Sequence, residues 1–85
     1  MPSALQQPSY KNLLGMLRDM REQAGLTQRD LAKKLKQSQA WVHNTETGQR
    51  RADITEFLDW CLACDVDPAE AFKRLIAKRN ARTRR

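Results

Sequence analysis

The chain has 85 residues, enough for one domain with a modest core, and a formal net charge of +6. Its two cysteines stand three apart beside a single histidine, which makes neither a disulfide framework nor a zinc set. No apolar run is long enough for a membrane span and no signal-peptide pattern opens the chain, so an intracellular protein is expected.

The charge is unevenly spread. Residues 1–27 sum to +1, residues 28–51 to +4, residues 52–72 to −6 and residues 73–85 to +7. A polyanion would be drawn to the second and fourth blocks and repelled by the third.

Residues 1–8 carry prolines and glutamines without periodicity and are predicted to be a disordered arm. Ser9 is the predicted cap of a first helix over residues 10–23. Its buried stripe would be Leu13, Leu14, Leu17, Met20 and Ala24, with Gly25 as the stop and Leu26 folding back. Thr27 and Asp30 form a capping box for a short second helix whose apolar stripe is Leu31, Ala32 and Leu35. Lys36-Gln37 is the predicted turn. Ser38 then caps a third helix over residues 39–46, closed by a left-handed Gly48.

On a helical wheel Val42 points inward, while Gln39, Ala40, His43 and Asn44 point out. The amides of Gln39 and Asn44 suit an adenine edge and Ala40 suits a thymine methyl, so this face is built to enter a major groove. Gln28, at a helix N-terminus, is placed for a phosphate. Arg29, Lys33, Lys34 and Lys36 add sequence-independent attraction. Trp41 lies at the edge between core and groove, either as a structural tryptophan or as an indole donor to a phosphate. Arg50 and Arg51, in the loop that leaves the third helix, are the expected phosphate clamp.

Asp53 and Glu56 form a second capping box. Ile54, Phe57, Leu58, Trp60, Cys61 and Cys64 follow, an apolar surface too broad for one stripe, and the excess is a candidate dimer face. Both cysteines read as small core residues. Asp67-Pro68-Ala69-Glu70 starts a last helix with Phe72, Leu75 and Ile76. Residues 78–85 lack apolar periodicity and are expected to fray as a basic tail. The domain proper would then be residues 9–77.

The run Leu17-Arg18-x-x-Arg21, Ala24-Gly25-Leu26-Thr27-Gln28-x-x-Leu31-Ala32, Ser38-Gln39-x-x-Val42 and Glu46-x-Gly48 resembles the phage repressor/Cro-like (XRE-type) helix-turn-helix family from Leu13 to about Phe72. The resemblance implies an all-α, compact five-helix domain that binds DNA, usually as a dimer on palindromic operators. It also implies an Arg21–Glu46 ion pair and a phosphate-holding Gln28. Three positions depart from the family pattern: Lys36 and Asp65 stand where glycine is frequent, and Thr45 where a larger apolar residue is common.

The function expected is a cytoplasmic, nucleoid-associated transcriptional regulator, most simply a repressor. Gln39, Ala40, His43 and Asn44 would contact bases, and Gln28, Arg29, Trp41, Arg50 and Arg51 phosphates, on an operator with half-sites about 34 Å apart. A toxin or an antirepressor is a conceivable protein partner. The other reading is a protein-interaction or antitoxin-type module working through the acidic, aromatic segment 53–70. No nucleophile–base pair or Gly-rich phosphate loop suggests an enzyme, and no cofactor, metal or small-molecule ligand is expected.

Overall fold

A computed structural model describes residues 7–83 of the chain. Its five helices are α1 (Pro8–Gln23), α2 (Gln28–Leu35), α3 (Gln39–Thr47), α4 (Ile54–Ala63) and α5 (Pro68–Thr83). α2 and α3 are the two arms of a helix-turn-helix; α1 packs on α3, α4 and α5, and α4 packs on α2 and α5.

The helix boundaries follow from short-range chemistry. Thr27 Oγ1 accepts from the Asp30 amide at 3.0 Å, and the Asp30 carboxylate accepts from the Thr27 amide at 3.0 Å. Asp53 and Glu56 repeat this exchange at α4, and Asp67 Oδ1 accepts from the Ala69 amide at the start of α5. Each cap satisfies amides that have no partner inside the helix. Gly48 closes α3 with φ +83°.

Two boundaries depart from the sequence reading. α1 begins at Pro8, capped by Gln7 without a side-chain bond, so Ser9 lies inside the first turn rather than capping it. Proline's fixed φ suits the first helical position, where its missing N–H is not needed. The expected arm therefore contributes Pro8 to the helix, and its residues 1–6 lie outside the described ones. At the other end, α5 does not stop near residue 77 but continues to Thr83. Residues 84 and 85 are outside the described part.

The core joins Met16, Leu17 and Met20 of α1, Leu31 and Ala32 of α2, Val42 of α3, Phe57, Trp60 and Cys61 of α4, and Ala71 of α5. The indole N–H of Trp60 donates to the Leu17 carbonyl at 3.0 Å, which satisfies the one polar atom this large side chain brings inside. Met16 and Tyr10 are buried, whereas Ala24 of the predicted stripe is exposed. Burial raises the thiol pKa of both cysteines, that of Cys64 to about 11, so they stay protonated core groups. Lys36 and Asp65, which stand where glycine is frequent in the resembling family, both adopt left-handed backbone, with φ of 57° and 59°.

The excess apolar surface is real. Ile54, Leu58, Phe72 and Ile76 are between 41 and 62% exposed, and a groove of about 300 Å³ runs between α4 and α5, lined by Ile54, Phe57, Leu58, Pro68, Ala69 and Phe72.

Candidate nucleic-acid interface

α3 is held by its inner side. Val42 and Thr45 are fully buried. The Thr45 hydroxyl donates to the Trp41 carbonyl at 2.7 Å and accepts from Arg50 Nη1 at 3.2 Å. That is how a polar residue occupies a position suited to an apolar one: both of its bonds are made locally. Ser38 caps the helix by accepting from the Trp41 amide at 3.0 Å.

Glu46 is the anchor. Its carboxylate, 4% exposed, receives Arg21 Nε at 2.5 Å and Arg21 Nη2 at 3.2 Å. Arg21 Nη1 donates to the Leu26 carbonyl at 2.8 Å, so one guanidinium ties α1 to α3 and to the turn before α2. The bidentate pair raises the Arg21 pKa further, and the residue stays charged although buried. The pair inferred by resemblance is present.

Glu46 also accepts from Gln28 Nε2 at 3.1 Å. Gln28 Oε1 in turn accepts from Gln39 Nε2 at 3.3 Å, and Gln28 Nε2 lies 3.5 Å from His43 Nδ1. The first residues of α2 and α3 are thus bridged by an amide chain that starts at a buried carboxylate and ends on the outer face. This chain was not legible in the sequence, because four polar residues that all bond to water equally well could have faced anywhere.

On the outer face Gln39, Ala40 and His43 are exposed and Asn44 is half-buried. Thr47 lies on the same side, but its hydroxyl donates back to the His43 carbonyl at 2.9 Å. Arg29, Lys33, Lys34 and Lys36 are exposed along α2.

The loop after α3 divides the two arginines. Arg50 Nη1 and Nη2 reach the two Glu56 oxygens at 3.1 and 2.9 Å, and its guanidinium sits 4.4 Å from the centre of the Trp41 ring. Arg50 thereby depresses the Glu56 pKa and packs on the Trp41 ring, which also lies 6.4 Å from Trp60 between ring centres. Trp41 is half-buried, at the edge where the sequence placed it. Arg51 is exposed, and its guanidinium lies 4.5 Å from the centre of the Tyr10 ring. The Tyr10 hydroxyl accepts from the Ala52 amide at 2.9 Å, which pins the loop to α1.

Among the described residues no three His, Cys, Asp or Glu side chains gather to hold a metal ion, and no helix is long and apolar enough to cross a membrane.

A family model described as a helix-turn-helix domain matches residues 13–72. Among solved structures, an XRE-family-like protein from Pseudomonas syringae pv. tomato str. DC3000 is 38% identical. The match covers 82% of this chain and 85% of that one, with a TM-score of 0.79. The clp gene regulator ClgR from C. glutamicum shares the fold at 20% identity, covering 86% of this chain and 95% of that one, with a TM-score of 0.73. No curated protein matches the chain in sequence. The chain belongs to the XRE-type helix-turn-helix family.

Proposed function

We propose that the protein is a sequence-specific transcriptional regulator, acting as a repressor, that lays α3 in the major groove of double-stranded DNA. The observation that carries this is the division of α3 into two sides. Val42, Thr45 and Glu46 are consumed by the fold, while Gln39, Ala40, His43 and Asn44 are left facing out on a helix whose position is locked. Donors and acceptors held in place before contact can discriminate bases, because little ordering is needed on binding.

Gln28, Arg29, Trp41 and Arg51 would set the register on the phosphates. Arg50 is better understood as the residue that holds the loop and Trp41, since both ends of its guanidinium are engaged by Glu56. The protein would act in the cytoplasm as a homodimer on a palindromic operator, joined through the Ile54–Leu58–Phe72–Ile76 face. The competing reading, a protein-binding surface on segment 53–70, is weakened by the burial of Phe57 and Trp60 and by the engagement of Asp53 and Glu56 in a cap.

Selection of bound sequences from a random duplex pool tests the proposal. A consensus should emerge, and Asn44→Ala should lose about 1–3 kcal/mol against it while relaxing preference at one base pair. An equal loss on random DNA would refute the reading role of Asn44.

A further inference from the structure

The basic end of α5 extends beyond the packed core and lies against the start of α1. α5 stays helical past the half-buried Leu75 to Thr83, and Lys78 and Arg79 are exposed. Arg79 Nε donates to Ser9 Oγ at 3.3 Å, so this end lies against the first turn of α1. The next residue, Tyr10, carries Arg51 on its ring and the Ala52 amide on its hydroxyl. Three segments distant in sequence therefore meet at one corner: the start of α1, the loop that leaves α3, and the basic end of α5. Residues 1–18, 47–52 and 71–85 contain no Asp or Glu, so cations from all three add there without an acidic side chain of those segments between them.

Such a concentration of like charge is unfavourable in the isolated protein and becomes favourable against a polyanion. The polyanion at hand is the duplex itself, because Arg51 belongs both to this corner and to the loop beside α3. We propose that the end of α5, with Arg51, forms a second phosphate-binding surface that grips DNA backbone outside the base pairs read by α3. This inference rests on the DNA reading of α3 but adds a separate contact. It gives the helical extension of α5 a task that the core does not require.

The test compares the full chain with the double variant Lys78→Gln/Arg79→Gln on the duplex selected from the random pool. Both side chains are exposed, and a thermal melt confirms folding. Loss of two phosphate contacts should lower the slope of log affinity against log salt by about 1.8. It should also clear phosphate-ethylation interference from one cluster outside the selected bases, while leaving the base preference as it was. An unchanged slope together with an unchanged interference pattern would overturn the proposal and leave the reading role of α3 standing. A wild-type chain that selects no sequence would sink both. As an independent check, Lys78→Arg/Arg79→Lys keeps the charge and should retain the wild-type slope; loss of the slope in this pair would show that the effect is not phosphate attraction.

Discussion

Removing the Arg21 guanidinium by Arg21→Ala should be among the most damaging single changes on this chain. Arg21 and Glu46 side chains are 10 and 4% exposed. The substitution deletes two bonds to the Glu46 carboxylate and one to the Leu26 carbonyl. Gln28 Nε2 would remain as the carboxylate's side-chain partner. Breaking a buried pair by removing one member costs about 3–5 kcal/mol, because the other charge is left without compensation. For a domain of this size that corresponds to a fall in Tm of roughly 12 °C or more. Thermal melts followed by far-UV circular dichroism measure it directly. The double variant Arg21→Met/Glu46→Met, which leaves no orphaned charge, should be better tolerated than the sum of the single changes. An Arg21→Ala protein melting within about 2 °C of wild type would show that the pair adds nothing net and would refute the reasoning.

Three further outcomes can be checked. Lys36→Gly should raise stability by about 1 kcal/mol, read as a higher Tm, because a left-handed side-chain residue is strained where glycine is not; a lower Tm would mean that the Lys36 side chain contributes more than the strain costs. Arg50 holds the Glu56 pKa below its ordinary 4.5, so the stability this pair contributes is complete above that value and is lost as pH falls through the folded-state pKa. Glu56→Gln should therefore be less stable than wild type at neutral pH, with a gap that narrows in melts taken down to about pH 2.5; a gap of constant size would refute the assignment. If the protein forms the proposed homodimer through this face, Leu58→Glu on the exposed side of α4 should weaken self-association at least about tenfold by sedimentation equilibrium; a wild-type chain that stays monomeric, or an association unchanged by the substitution, would refute the proposed dimer face.

The elements that were legible in the sequence are those whose cause lies within one turn of chain. The Thr27–Asp30 and Asp53–Glu56 exchanges, the Ser38 cap and the left-handed Gly48 each need only residues a few places apart. Helical periodicity turns Ala40, His43 and Asn44 well away from Val42, whereas Gln39, three residues before Val42, lies on nearly the same side of the wheel and is exposed as the first residue of the helix. What could not be read were choices between partners of equal chemistry. Arg50 was as well suited to a phosphate as to Glu56, and only the path of the loop brings Glu56 to it. Arg51 on Tyr10 and Arg79 on Ser9 join distant segments. The helical end of α5 was missed because apolar periodicity does run out near Ile76, and the contact with α1 that accompanies its continuation is polar.

The two sides of α3 are mutable on separate terms. An exchange at Gln39, Ala40 or His43 alters nothing that fills the interior, whereas Thr45 and Glu46 are bound into the fold by several neighbours at once. A lineage carrying this domain could therefore drift through many outward triplets at little thermodynamic penalty, with the inward residues as the fixed inheritance that makes such drift survivable.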